Sequence, residues 1–294
     1  MATALFSFGV VADVQHADKD DGNFEGRCQR YREAPGKLAL AISDFNARQE
    51  EISFVLTLGD IIDGNESLEL TSKDFDVVLN ELSKLQVPVD HVLGNHCLSL
   101  PREVLMQQLK IPARYYERRL GHKWALVVLD SMDLSSTWSS DTPNYKETQE
   151  FLKLFPLGDE NPQMSLWNGG IGEEQKNWLR KVLTDAERHN VKLIVAQHHP
   201  LIQGSAPSTH FLWNHNEIST MLVESSAVVL FLCGHYHPGG YACVSGKHFV
   251  TVEAILEAPT GSHAHGFVSV YEDKITIHGH GTVTSRELQI SAAK

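Results

Sequence analysis

The sequence predicts an α/β layered fold, because short apolar runs alternate with amphipathic helical stretches along the chain. Each apolar run has four to eight residues rich in Val, Leu and Ile, which is typical of strands buried on both faces. With 294 residues, 42% hydrophobic and 21% charged, the composition is that of an ordinary globular protein with a well-buried core. Six runs are predicted as strands: 6–12, 52–58, 87–93, 124–129, 192–197 and 228–233.

Three stretches place apolar residues at three- and four-residue spacing and are predicted as helices: 27–48, 74–85 and 173–189. After residue 238 the pattern changes to short strands joined by tight turns, at 239–244, 248–255, 266–271 and 274–279. The C-terminal third is therefore expected to be largely antiparallel.

We expect one domain over residues 1–294, since the sequence has no Pro/Gly/Ser linker and no internal repeat. Residues 131–171 are predicted to form an insertion within it, because Pro and Gly surround several aromatic side chains there. Those aromatic side chains either act as a lid over a nucleotide or fill a secondary core.

The charge and the cysteine content limit which partners and which cellular compartment we expect. A formal net charge of −12 disfavours a nucleic acid partner, whereas a phosphate substrate remains compatible with bound divalent cations. We expect no membrane partner and a cytoplasmic location, because there is neither a long apolar run nor a signal-peptide pattern. The four cysteines lack CxxC spacing and are expected to be reduced, and the oligomeric state stays open.

Polar side chains follow five of the predicted strands, where each strand ends. In open α/β sheets ligands bind at this edge, and buried polar groups there are costly unless they coordinate something. Carboxylate, amide and imidazole donors without thiolate indicate a hard or borderline divalent ion. The residues are Asp13, Gln15, Asp60, Asp63, Asn95, His96, His198, His199, His235 and His237.

The ordered motifs resemble the calcineurin-like metallophosphoesterases, dinuclear enzymes built on a four-layer αββα sandwich. They are Asp13-x-Gln15, Gly59-Asp60-x-x-Asp63, Gly94-Asn95-His96, Val195-x-x-His198 and Gly234-His235-x-His237. Longer strings are similar to the manganese-dependent ADP-ribose/CDP-alcohol diphosphatase subgroup: 12–18, 21–22, 30–31, 239–241, 252–254 and 257–259.

The resemblance implies two divalent metal ions with Asp60 bridging them. One ion would be held by Asp13, Gln15, Asp60 and His237, and the other by Asp60, Asn95, His198 and His235. Two such ions can hold a hydroxide that attacks phosphorus. His96 would protonate the leaving oxygen or steady the transition state, and Asp63 would orient a neighbouring side chain or merely cap a turn.

Gln15 departs from the wider family, which usually has His at that position. An amide oxygen makes the site harder, which favours Mn²⁺, with Zn²⁺, Fe²⁺ and Mg²⁺ as alternatives. Asp63 stands where the purple acid phosphatase branch has Tyr, which argues against that branch. His16 and Cys97 also depart from familiar patterns and put the fit of the substrate in question.

Several residues are candidates for substrate contact. Phe24 and Tyr31 could stack on a base, and Arg27 and Arg30 could meet a phosphate, although an ordinary helix with solvated arginines explains them equally well. His199 could also contact the substrate, or it is only a neighbour of His198. His263 could reach the site from a loop, or it is an ordinary solvated loop residue.

The resemblance implies Mn²⁺-dependent hydrolysis of ADP-ribose to AMP and ribose 5-phosphate, and of CDP-choline and other CDP-alcohols to CMP and the phosphoalcohol. The alternatives on the same centre are a cyclic-nucleotide phosphodiesterase or a phosphomonoesterase. A non-catalytic scaffold with this fold is the alternative of another class, and His96 beside a full ligand set argues against it.

Overall fold

Two six-stranded β-sheets form the centre of the structure, a computed structural model that describes residues 3–121, 123–158 and 160–290. The strands are β1 Phe6–Val11, β2 Gly22–Phe24, β3 Arg27–Gln29, β4 Val55–Thr57, β5 Val89–His91, β6 Tyr116–Arg119, β7 Trp124–Val128, β8 Lys192–Ala196, β9 Val228–Cys233, β10 Gly240–Val244, β11 Lys247–Thr251, β12 Ala264–Val270, β13 Lys274–Gly281 and β14 Arg286–Gln289. The helices are α1 Ala34–Ala47, α2 Leu68–Leu82, α3 Arg102–Gln108, α4 Pro143–Leu154, α5 Glu173–Arg188 and α6 His215–Glu224.

The first sheet has the order β14-β13-β12-β1-β4-β5, and the second has the order β10-β11-β9-β8-β7-β6. In the first, β1, β4 and β5 run parallel, whereas β12 joins β1 antiparallel and continues into the antiparallel β13 and β14. In the second, β7, β8, β9 and β11 are parallel, with antiparallel strands at both edges.

Alternate residues of the strands point into different layers. In β8, Ile194 and Ala196 belong to the core between the two sheets, whereas Leu193 and Val195 pack with the apolar residues of α5 and α6. The other face of the first sheet is covered by α1 and α2, whose apolar residues extend the central core. The layer order is therefore helix, sheet, sheet, helix, and the predicted α/β four-layer fold is confirmed.

Aromatic side chains of the first sheet pack toward the second. The rings of Phe8 on β1 and Phe54 beside β4 stack within the first sheet with their centroids 4.8 Å apart, and Phe6 meets Trp124 of the second sheet edge-on at 5.8 Å. On the opposite face of β1, Gly9 lies beneath the ring of Phe45 from α1. One face of β1 thus sets the distance between the two sheets, and its other face sets the distance from the first sheet to α1.

The helix predicted over 27–48 is wrong at its start. Residues 27–29 form β3, which pairs with β2 as a hairpin whose turn residues Glu25 and Gly26 have φ of 51° and 80°. The helix begins only at Ala34, with Pro35 in its first turn, where a missing backbone N–H costs nothing. The periodic apolar residues that carried the prediction all lie after that point.

Other elements differ in extent. The helix predicted from residue 74 begins at Leu68, because the Ser67 side chain accepts a hydrogen bond from the Leu70 N–H and caps it. The sequence analysis did not predict α3, α4, α6, β2, β6 or β14. Residues 131–171 contain α4, and there Leu134 and Met164 pack against Trp213 in a small separate core.

None of the helices in the described ranges combines the length and the apolar character needed to cross a lipid bilayer. The four cysteines, Cys28, Cys97, Cys233 and Cys243, are unbridged.

Substituting Gly9 tests the sheet-to-helix packing. A Cβ added at this position would lie 2.6 Å from the Phe45 ring, so Gly9→Ala should lower the free energy of unfolding by about 1–3 kcal/mol through overpacking. Urea unfolding measures this change in the free energy of unfolding. Gly36→Ala in the exposed part of α1 is the control, because nothing lies within 4 Å and its stability should stay equal or rise by up to about 1 kcal/mol. Equal stability of Gly9→Ala and wild type would contradict this packing.

Candidate metal centre

The motif residues lie just beyond the carboxyl ends of β1, β4, β5, β8 and β9. Four of them, Asp13, Gln15, Asp60 and His235, have left-handed backbones with φ of 49°, 44°, 45° and 68°. Each such residue costs about 1–3 kcal/mol and persists only where surrounding structure holds it. This strain turns the chain sharply after each strand and points the side chains into one space.

Two glycines of the motifs allow the carboxylates to pack against the backbone. A Cβ at Gly94 would lie 2.2 Å from Oδ1 of Asp60, and one at Gly234 would lie 2.4 Å from Oδ2 of Asp13. No larger residue fits at either position without moving a carboxylate. The glycines of the Gly-Asn-His and Gly-His-x-His motifs are therefore required for the packing of the centre.

Three polar side chains converge on Nε2 of His198. It lies 3.0 Å from Oδ2 of Asp60, 3.2 Å from Oδ1 of Asn95 and 3.1 Å from Nδ1 of His235. Nδ1 of His198 lies 2.8 Å from the Leu58 carbonyl oxygen and donates to it, so Nε2 is the nitrogen that faces these three partners. Acceptor atoms that face one another in a buried space call for a cation among them, either a proton on Nε2 or a metal ion that replaces it.

A second group lies around Asp13. Nε2 of His237 is 3.7 Å from Oδ1 of Asp13, and Nε2 of Gln15 donates to Oδ2 of Asp60 at 3.3 Å. Oε1 of Gln15 is buried and has no hydrogen-bond partner among the described residues. An orphaned amide oxygen beside two buried carboxylates is the arrangement that a metal ion would complete.

The ionisation of the cluster reflects its burial. Burial raises the pKa of Asp13 to about 6, against the opposing attraction of His198 and His237. Burial also disfavours the charged form of His198, yet the adjacent Asp60 carboxylate raises the pKa of that imidazole to about 9. Burial and neighbouring imidazoles hold the pKa of His235 well below its usual range. The carboxylates of the centre thus attract positive charge, and the His235 ring stays neutral and able to ligate a metal ion.

The donor set fits two hard or borderline divalent cations, since it combines carboxylate, amide and imidazole donors without thiolate. Donor atoms of Asp60, His198 and His235 all lie within 4.8 Å of one another. Asp60 is also in contact with Gln15 of the second group, so one carboxylate touches both groups of donors.

Two further side chains orient the imidazoles, and the sequence analysis missed their role. Oδ1 of Asn168 lies 2.9 Å from Nε2 of His235, and Oε1 of Glu257 lies 2.8 Å from Nδ1 of His237. Each acceptor takes one ring N–H and turns the other nitrogen toward the carboxylates. Asn168 stands in no motif, and Glu257 appeared only in a string shared with the subgroup, so neither carried a signal for this role.

His96 and Asp63 lie together at the rim of the centre. Nδ1 of His96 is 3.0 Å from the Asp63 carbonyl oxygen and 3.2 Å from its Oδ1, and the imidazole is 39% exposed. Lys19 forms an ion pair with the same carboxylate, a contact that the sequence did not indicate. Asp63 is therefore anchored and in turn positions the His96 ring.

A cavity of about 400 Å³ opens beside the centre. Its wall contains Phe24, Arg27 and Tyr31 from the predicted substrate residues. It also contains Gln15, Gln29, Asp63, Asn95, His96, Trp167, His210, His235 and His237.

The other three predicted substrate residues do not line the cavity, although the His199 ring lies 4.3 Å from that of His235 in the centre. The Arg30 guanidinium donates to the carbonyls of Cys28 and Glu257. His199 is fully buried, and its Nδ1 lies 2.8 Å from Oγ of Ser131. His263 stacks on His265, away from the cavity wall.

The four-layer fold and this set of donors define the class of metal-dependent phosphoesterases. The chain belongs to the calcineurin-like phosphoesterase family, whose model matches residues 6–239. A dimetal phosphatase from Danio rerio has a similar structure, with a TM-score of 0.89 and 29% identity over 98% of this chain and all of that one.

Curated relatives extend over the same length. A protein of Arabidopsis thaliana is 37% identical over 97% of both chains, and one of Homo sapiens is 33% identical over 96% of this chain and 92% of its own. Both are named manganese-dependent ADP-ribose/CDP-alcohol diphosphatase.

Removing the acceptor behind His235 should weaken metal binding. Asn168→Ala leaves the ring free to rotate, and loss of such an orienting contact typically costs 10–100-fold in metal affinity. Equilibrium dialysis of the metal-free protein against Mn²⁺ measures this affinity. Asn177→Ala, an exposed position on α5, should retain wild-type affinity. Unchanged binding by Asn168→Ala would show that Asn168 does not orient the ring.

Proposed function

We propose that the protein is a Mn²⁺-dependent hydrolase of nucleoside diphosphate-linked substrates, acting on ADP-ribose and CDP-alcohols. The cavity is the observation that carries this proposal, because it joins the candidate metal centre to a wall with aromatic and cationic side chains. The names of the relatives support the same substrate class.

The cavity wall suits a nucleotide. Phe24 and Trp167 are partly exposed aromatic rings, and a base stacked on such a ring gains about 1–3 kcal/mol. The Tyr31 hydroxyl donates to Oε1 of Gln29 at 2.7 Å, and burial raises the pKa of Tyr31 to about 12, so its phenol stays protonated. A base held there would place its diphosphate toward the metal centre.

In this proposal one ion would be held by Asp13, Gln15, Asp60 and His237, and the other by Asp60, Asn95, His198 and His235. When bound, the two ions supply the positive charge that offsets the phosphoryl group during displacement. The amide oxygen of Gln15 makes its site harder than a third imidazole would, which favours Mn²⁺.

The chain's own residues then position and protonate the substrate. Asp63 engages Nδ1 of His96, which leaves Nε2 to give a proton to the oxygen of the departing phosphate monoester. The guanidinium of Arg27 lies in the cavity wall, where Glu257 at 2.9 Å and Glu25 at 3.1 Å pair with it and fix its position. Remote contacts of this kind hold the diphosphate in line for hydrolysis.

The proposal is tested by phosphorus NMR of metal-stripped protein given ADP-ribose or CDP-choline, with and without Mn²⁺. We expect the diphosphate signals to be replaced by those of phosphate monoesters only when Mn²⁺ is present. Intact substrates in the presence of bound Mn²⁺ would overturn the substrate assignment. Cyclic nucleotides and phosphate monoesters, assayed in parallel, would then identify the bond that is cleaved.

Replacing His96 separates catalysis from metal binding. We expect His96→Ala to lower kcat by about 10²–10⁴-fold, because a positioned general acid is lost, while the content of bound metal stays that of wild type. Steady-state kinetics and metal analysis on the same sample measure the two quantities. An unchanged kcat would remove His96 from the mechanism.

A further inference from the structure

A second group of histidines lies outside the candidate metal centre, where β12 and β13 meet α1. We call His263, His265, His280 and Asp44 the histidine cluster. His263 directly precedes β12, His265 and His280 are paired across the β12–β13 ladder, and Asp44 comes from α1. None of these residues belongs to the centre described above.

The imidazoles of the histidine cluster are close enough to share one ion. A ring nitrogen from each of the three histidines lies within 4.8 Å of those of the other two. The ring centroids of His263 and His280 each lie 4.9 Å from that of His265. Three residues from two strand ends thus present imidazoles to one space.

Asp44 holds two of these rings in place. Its Oδ2 lies 2.9 Å from Nε2 of His265 and 2.8 Å from Nδ1 of His280. A carboxylate that accepts one ring N–H fixes the tautomer and makes the other nitrogen a better ligand. In metal sites such carboxylates commonly stand behind the ligating imidazoles.

The remaining nitrogens of these two rings are unsatisfied. Nδ1 of His265 and Nε2 of His280 are buried and have no hydrogen-bond partner within the described part of the chain. The His265 side chain is fully buried, with Phe45 and Phe267 edge-on to its ring at 5.0 and 5.7 Å. An unpaired polar atom in such surroundings is costly, and a bound ion would remove that cost.

The chemistry of the donors selects the ion. Imidazole ligands suit Zn²⁺ and other late transition metals, whereas Mn²⁺ and Mg²⁺ prefer carboxylates, carbonyls and water. The side chain of His280 is 18% exposed and that of Asp44 is 27% exposed, so an ion has a path from solvent.

We propose that the histidine cluster binds one divalent late transition-metal ion and that its donor set selects Zn²⁺, which would link β12 to β13 beside Asp44 of α1. The three imidazoles ligate it, and Asp44 orients two of them. This proposal is independent of the catalytic function proposed above.

The first experiment counts zinc. Metal-free wild-type protein and the His263→Ala/His280→Ala variant are dialysed against Zn²⁺, and the bound metal is measured by mass spectrometry. We expect the variant to bind one equivalent less than wild type. His189→Ala, an exposed histidine at the end of α5, is the control and should match wild type. Equal zinc content in wild type and a folded variant, judged by circular dichroism, would overturn the proposal.

A second measurement needs no variant and decides the matter if the double variant does not fold. Crystals of the Zn²⁺-loaded wild-type protein are measured at the zinc absorption edge. We expect an anomalous peak between His263, His265 and His280. Peaks at the centre around Asp60 without one at the histidine cluster would show that the cluster is only a hydrogen-bonded network.

Discussion

The convergence of acceptor atoms around Nε2 of His198 is the constraint on which the rest of the structure depends. Asp60, Asn95 and His235 all turn acceptor atoms toward this nitrogen at the inner end of the cavity. Such an arrangement is unfavourable on its own, and so are the left-handed backbones that produce it. The apolar core on both sides of the sheets stabilises the fold enough to hold these groups in place, and a cation offsets their mutual repulsion.

The donors of the centre are divided between the two sheets. Asp13, Gln15, Asp60 and Asn95 follow strands of the first sheet, whereas His198, His235 and His237 follow strands of the second. The distance between oxygen and imidazole donors is therefore set by the packing of one sheet on the other. Large side chains at that interface, such as Phe6 and Trp124, whose rings meet across it, therefore contribute to the geometry of a centre that they do not touch.

The motifs could be predicted from the sequence because each is local: a buried strand, a sharp turn and a polar side chain follow one another along the chain. The β2–β3 hairpin could not, since the strong apolar period of α1 was extended back over residues 27–29. Asn168 and Glu257 reach their imidazoles only through tertiary folding, from positions that have no pattern of their own. His265 and His280 become neighbours only through the register of β12 on β13, so their positions along the sequence do not indicate a shared role.

The antiparallel pairing of β12 with β1 has a consequence for biosynthesis. Strand β1 receives this neighbour only after residues 264–270 have been made, long after β1 itself. Until then one edge of β1 has open backbone groups, and the imidazoles of β8 and β9 are added late as well. The nascent chain therefore passes through a long stage with carboxylates but no complete centre, in which an exposed edge strand invites mispairing. The last donor of the centre, His237, is made before β12, β13 and β14, so the first sheet is completed only after all the donors are present.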